Sequence, residues 1–373
     1  MIRAVERPGR GENVVLVHDY LLVMRGAERT FAAIAELYEA APIFTLLYDE
    51  EGTSGRFADR SVTTSWLQRL GVTQRGFRRL LPLYPIAVGR LSLPPCDVVV
   101  SSSSAFAHGV HAPAGAVSVC YCHAPFRYAW YEQARALREV PAAARPLLRA
   151  SLAWLRAWDL SASRRVDSYI ANSELTRARI REYYGREAPI IHPPVETHRF
   201  APGTPGDALL LVSELVAHKR PQLALQAARA ARVPIRVVGS GPDHAALPRT
   251  FPEAEFLGRV TDAELPALYA SARAVIVPSM EEFGITAVEA QAAGRPVIAA
   301  AAGGALETVR DRETGLLARL DDVDAFVRAI RELDRIDFDP LRAVENAERF
   351  SVEVFQEKLR SHVQDTLRQR RRS

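Results

Sequence analysis

Lysine is nearly absent from this chain. Only Lys219 and Lys358 are lysine among 48 basic residues, so each lysine is singled out against an arginine background. Cysteine is scarce as well: Cys96, Cys120 and Cys122 are too few for a disulfide framework and fit a reducing, cytoplasmic setting. No run of about 18 apolar residues occurs, which excludes a membrane-spanning helix. The opening MIRAVERPGRGE carries charge with no apolar core behind it and does not read as a secretory leader. Acid is missing between Asp59 and Asp97, where Arg60, Arg69, Arg75, Arg78, Arg79 and Arg90 stand. With 48% hydrophobic and 25% charged residues, collagen-like and fully disordered chains are excluded.

What is present points to two domains, as 373 residues would predict. Short β-branched runs alternate with amphipathic stretches. NVVLVH (13–18), PIFTLL (42–47), DVVVSS (97–102), AVSVCY (116–121) and DSYIA (167–171) read as buried strands. Phe31, Ile34 and Leu37 recur at three-residue steps and predict a helix after the first. A tighter rhythm follows in ALLLVS (208–213), PIRVVG (234–239), AEFLG (254–258), AVIVP (274–278), PVIAAA (296–301) and TGLLA (314–318). Repeated βα units predict α/β architecture with parallel sheets covered on both faces. HPPVETHRFAPGTPGD (192–207), rich in proline, reads as the linker. The expected division is 1–195, 196–350 and a C-terminal helical segment 351–373 packing back on the first domain.

The densest stretch is PSMEEFGITAVEAQAAGRPVIAAAAGGALETV, 278–309. A strand ends at Pro278, a Phe-Gly turn follows, and a helical pattern runs from Ile285 to Ala293. Such a turn faces the ligand crevice of a doubly wound sheet, and the helix N-terminus suits phosphate. Glu281 lies in the turn and Glu289 on the helix, where a carboxylate can accept from both hydroxyls of a ribose. Taken alone, a helical Glu is more often merely solvated.

The neighbours change that balance. Glu281 through Val297 resembles the E-x-F-G-I-x-x-x-E-A-x-A-x-G-x-P-V segment of glycosyltransferase family 4. Those enzymes are retaining, nucleotide-sugar-dependent and built on two Rossmann-like domains facing a cleft, the GT-B fold. SELVAHKRPQLALQAA (213–228), VVGSGPD (237–243), FLGRVTDAELPALYASA (256–272), MRGAER (24–29) and CYCHAPFRYAW (120–130) extend the resemblance over most of the chain. It is nearest to mannosyltransferases that build O-antigen and related surface polysaccharides. The resemblance implies that Glu289 holds the ribose, and that Glu281 holds the sugar with the backbone of Phe283, Gly284 and Ile285. It implies Lys219 on the diphosphate, Arg259 and Val260 beside the base, Gly26 near phosphate, and His123 reaching the donor sugar. One position departs: the family pattern has Arg where Glu214 stands, so Arg220 or another arginine substitutes, or Lys219 acts alone.

Other signals have plainer readings. A dinucleotide fingerprint beginning at Gly239 needs glycine where His244 sits, which argues against an oxidoreductase. Cys120-x-Cys122-His123 lacks a second ligand pair with zinc spacing and reads as core cysteines. Asp322-x-Asp324 and Asp337-x-Asp339 open helical stretches and read as caps rather than a metal site. His18, His108 and His111 are set aside as structural. The expectation is a metal-independent hexosyltransferase, with mannose from GDP-mannose as donor and a lipid-linked glycan or polysaccharide as acceptor. An epimerase or hydrolase on the same fold and a non-catalytic nucleotide-sugar-binding partner are the alternatives. Nucleic acid is not an expected partner. The basic stretch 60–90, with Trp66, Phe77 and several leucines, is expected to form a helix lying on an anionic membrane's inner face.

Overall fold

The computed structural model describes residues 12–71 and 76–372, with the side chains of Arg78, Arg79 and His244 outside that description. Contacts divide the chain into two compact units. The first runs to Ala171 and takes in Thr176–Pro189 and the chain from Leu359; the second is Asn172–Leu175 and Ile190–Lys358.

In the first unit the β-branched runs form β1 (Val14–His18), β2 (Ile43–Thr45), β3 (Val62–Thr64), β4 (Val98–Ser103), β5 (Val117–Cys122) and β6 (Ser168–Ala171). The second holds β7 (Leu209–Val212), β8 (Ile235–Val238), β9 (Glu255–Gly258), β10 (Ala274–Val277), β11 (Val297–Ala300) and β12 (Gly315–Ala318). All pairings are parallel, in the orders β3-β2-β1-β4-β5-β6 and β12-β11-β10-β7-β8-β9. Each sheet is doubly wound, and its strand order reverses between β1 and β4 or between β7 and β10. Ligand crevices open at the carboxyl ends beside those reversals. The strand interiors explain the uninterrupted apolar runs: β1, β4, β5, β10 and β11 are buried along their whole length.

Helix Gly26–Leu37 lays Phe31 and Ile34 into the first core, as their spacing predicts. The proline-rich segment 192–207, expected to be a linker, is pinned to the second unit. Val195 N donates to Phe350 O (2.8 Å), and the buried Arg295 donates to Gly203 O at 2.9 Å. Inside the first unit Asp159 is fully buried, accepting from Trp130 Nε1 (2.7 Å) and Tyr184 OH (2.8 Å). His108 Nε2 faces its other oxygen at 3.0 Å.

The stretch 60–90 departs from expectation. It is not one interfacial helix but strand β3, 3₁₀ turns Trp66–Leu70 and Phe77–Leu83, and helix Tyr84–Gly89. Leu67, Tyr84, Ala87 and Val88 are buried in the core, with Phe77, Leu80, Leu81 and Leu83 packed against it. The apolar residues therefore face the protein's own interior, and helical periodicity cannot survive the Pro82 interruption. Arg75 and the side chains of Arg78 and Arg79 lie outside the described residues. Arg60 turns inward: its guanidinium donates to Ala35 O (2.7 Å), Tyr38 O (3.0 Å) and Ala41 O (2.9 Å). It thereby satisfies carbonyls at the C-terminal end of helix Gly26–Leu37. Arg60→Ala, which removes the donor to Ala35 O and Ala41 O while Tyr38 O keeps Ala41 N (3.0 Å), lowers stability by about 2–3 kcal/mol. Urea denaturation checks this; a loss no larger than that of the exposed Arg69→Ala would contradict the capping role.

Candidate functional site

In the second unit the loops after β7 and β10 meet at the strand reversal. Lys219 ends the 3₁₀ turn Ala217–Lys219 that follows β7, and Glu281 follows β10. Lys219 Nζ donates to Glu281 Oε2, while Ser279 Oγ donates to Oε1 at 2.5 Å. Both side chains remain partly open to solvent, at 29% and 19% exposure, so the pair is available to a ligand. One of the chain's two lysines thus touches the first glutamate of the motif.

The Glu281 turn is held from behind by Gly303-Gly304. Gly304 N donates to Glu281 O (2.8 Å), and a Cβ at Gly304 would come within 2.1 Å of Phe283 O. Gly284 (φ 93°) caps the helix Ile285–Ala292, a conformation that L side chains rarely adopt. The Phe283 ring is buried against His192 (5.5 Å) and Phe350 (5.4 Å), which leaves its backbone to serve a ligand. Glu289 sits one turn into the helix and accepts from Tyr269 OH at 2.7 Å. Burial, then the Glu289 carboxylate, pushes that phenol well up, so Tyr269 stays a donor. Arg259 and Val260 follow β9, the first exposed and the second half-buried against the same core cluster.

The position of Glu214 is exposed after β7. Arg220, named as its possible substitute, pairs with Asp321 and caps helix Pro221–Ala231 from the left-handed region. Both side chains of that pair are exposed, whereas Lys219 is the cation in contact with Glu281.

The first unit gathers a different set at its own reversal. Gly26 is the first residue of its helix, and Arg25 N donates to Glu28 Oε2 (3.1 Å). Burial raises the Glu28 carboxyl from 4.5 to about 7. His123 follows β5, its Nε2 2.8 Å from Ser102 Oγ, and that oxygen lies 3.1 Å from His18 Nδ1. His18 also stacks on Phe31 at 4.6 Å. Asp19, the next residue, accepts from the backbone of Ser104, Ala105, Phe106 and Ala107 at 2.5–3.0 Å and locks β1 to the end of β4.

Reading the sequence named His123 but set His18 aside and missed Ser102, Asp19 and Tyr269. The available signal was positional: His18, Ser102 and His123 all stand at carboxyl ends of adjacent strands. Cys120 and Cys122 are buried in β5, where burial pushes both thiols up, in keeping with core cysteines. Asp322 and Asp339 cap helices by accepting from Ala325 N (3.0 Å) and Leu341 N (2.9 Å). Among the described residues no cluster of three or more His, Cys, Asp or Glu stands ready for a metal.

Two family models match the chain: Glycosyltransferase Family 4 over residues 24–199 and Glycosyl transferases group 1 over 206–335. A D-inositol 3-phosphate glycosyltransferase of Nocardia farcinica is 31% identical over 228 residues, covering 50% of this chain and 49% of that one. A GDP-mannose-dependent alpha-(1-6)-phosphatidylinositol monomannoside mannosyltransferase of Mycolicibacterium smegmatis is 33% identical over 195 residues, 43% of this chain and 51% of that one. The first few matched relatives are spanned over only 16–24% of their length, and these longer matches reach about half. Among solved structures, Anabaena HepE in complex with UDP has TM-score 0.71 at 17% identity, covering 95% of this chain and 100% of that chain. Sucrose-phosphate synthase from Thermosynechococcus elongatus has TM-score 0.71 at 17% identity, covering 95% and 98%. The fold is thus GT-B, two Rossmann-like domains.

The buried imidazoles give a stability signature. Burial lowers His18 and His123 from 6.5 to about 3, so between those values the unfolded chain binds protons that the folded chain does not. Their contribution is present above 6.5 and is lost as pH falls towards 3. Glu28, raised from 4.5 to about 7, and Asp19, which burial also raises, act oppositely and offset part of that loss. Urea denaturation at stepped pH checks this: a His18→Gln, His123→Gln double variant shows the shallower acid loss. Equal pH slopes contradict it.

Proposed function

Because both halves of the chain are homologous to family 4 glycosyltransferases, we propose that it is a retaining glycosyltransferase using a nucleotide-diphosphate hexose. The observation that carries the reading is the Lys219–Glu281 contact at the β7/β10 reversal. In the structure the Lys219 ammonium faces the Glu281 carboxylate. A bound diphosphate offers Lys219 a stronger anion, and Glu281 is then released to accept from sugar hydroxyls while Ser279 steadies it. Glu289, oriented by Tyr269, holds the ribose; Arg259 and Val260 flank the base. As the sugar–phosphate bond breaks, charge grows on the diphosphate beside Lys219, which is where a fixed cation lowers the barrier. By the family resemblance, Gly26 serves phosphate and His123 the donor sugar. Same-face attack, with the leaving phosphate assisting deprotonation of the acceptor, follows from the family resemblance.

Mannose from GDP-mannose is the donor we favour, supported by the name of the Mycolicibacterium relative. That relative's phosphatidylinositol-based name also supports a lipid-linked acceptor, and hence work at a membrane surface. The surface that supports such contact is not the expected helix in 60–90. Helix Arg145–Ser163 exposes Leu147 (74%) and Trp154 (46%), and Ala150, Ala153 and Ala157 are exposed as well. From Val140 to Trp158 there is no acid, and Arg145 and Arg149 stand in the same stretch. An outer helix face without acids suits an anionic bilayer.

Two measurements test these readings. Lys219→Ala lowers kcat by about 10²–10³ while donor affinity falls less. Steady-state kinetics with GDP-mannose checks this, and a change confined to KM contradicts a role in the transition state. A Leu147→Glu, Trp154→Glu double variant loses sedimentation with phosphatidylglycerol vesicles while keeping donor affinity. Unchanged sedimentation places the membrane contact elsewhere.

A further inference from the structure

Ser102 Oγ lies between two imidazole nitrogens, 3.1 Å from His18 Nδ1 and 2.8 Å from His123 Nε2. All three groups are buried: His18 at 2% exposure, Ser102 at 0% and His123 at 9%. A serine hydroxyl has one proton and two lone pairs, so when it donates to one of these nitrogens it accepts from the other. Both rings are held neutral by burial, and each therefore carries one N–H. The two possibilities are then restricted. If Ser102 donates to His123 Nε2, His123 carries its proton on Nδ1 and His18 donates from Nδ1. If Ser102 donates to His18 Nδ1, both rings carry their proton on Nε2.

We propose that Ser102 couples the tautomers of His18 and His123, so that both rings are always protonated at the same named nitrogen, and that this array positions His123. His18 is the remote member, anchored by its stack on Phe31 and by the end of β1. Through Ser102 it decides whether Nδ1 of His123 carries a proton, and thus whether that atom donates or accepts. His123 N is itself fixed to Ser103 O at 2.9 Å, so backbone and ring are both held by the end of β4. Ser102 and His18 are positioning residues here. The inference deepens the proposed function, on which its catalytic consequence rests, but the coupling itself is a property of the protein without substrate.

Nitrogen-15 NMR of the full chain labelled at histidine tests it, with His18→Gln and His123→Gln spectra assigning the two rings. Both rings in one shared tautomer support the coupling. Opposite tautomers, or a charged ring near neutral pH, overturn it, and this outcome needs no variant of Ser102 to fold. In Ser102→Ala, the tautomer of at least one ring changes; identical ring signals in the variant overturn the coupling. Kinetically, Ser102→Ala lowers kcat by about 3- to 10-fold with little change in donor KM. A wild-type kcat in that variant overturns the positioning role. Were the chain to show no transferase activity at all, the proposed function would fail while the tautomer measurement still stood.

Discussion

Parallel strands can be joined only by crossovers, and that constraint places the central candidate groups of both units in this protein. In both sheets the strand order reverses at a single point, leaving the carboxyl ends of two central strands without a helix laid across them. β1 and β4 deliver His18, Asp19 and Ser102; β7 and β10 deliver Lys219, Ser279 and Glu281. The residues are far apart in sequence; register sets His18 opposite Ser102, and the turns after β7 and β10 bring Lys219 to Glu281. Replacing a strand-end residue therefore changes chemistry, while changing a strand interior changes packing.

The two reversals use opposite electrostatics. In the first unit burial dominates: the histidines are kept neutral, Glu28 is raised, and Asp19 is satisfied by four backbone amides. In the second, the Lys219–Glu281 pair stays partly solvated. Tyr269 behind Glu289 and Gly303-Gly304 behind Glu281 hold the charged half's carboxylates in place, so that the ligand need not order them.

Much of this was legible in the sequence because it is local. The strand runs, the Phe-Gly turn, the seven-residue spacing from Glu281 to Glu289 and the caps at Asp322 and Asp339 depend on neighbours within one turn or strand. Long-range contacts were not legible. Arg60 looked like part of a basic surface because its charge is visible and its three carbonyl partners are not. The segment around it looked helical because leucines and aromatics recur, although Pro82 and the core divide it. His18 looked structural for want of Ser102, which lies 84 positions away. The exposed side of helix Arg145–Ser163 escaped notice because periodicity shows that a face is apolar, not whether anything covers it.

We propose that Lys219 serves the diphosphate and Glu289 the ribose. Calorimetry with GDP and guanosine, and with UDP and uridine, separates the two. In Lys219→Ala the affinity advantage of the diphosphate over its nucleoside collapses while nucleoside affinity is kept. In Glu289→Ala both ligands weaken together, by about 10- to 150-fold, as loss of a hydrogen bond to a charged group entails. A Lys219→Ala variant that keeps the full diphosphate advantage, or a folded Glu289→Ala variant with unchanged nucleoside affinity, would contradict the account.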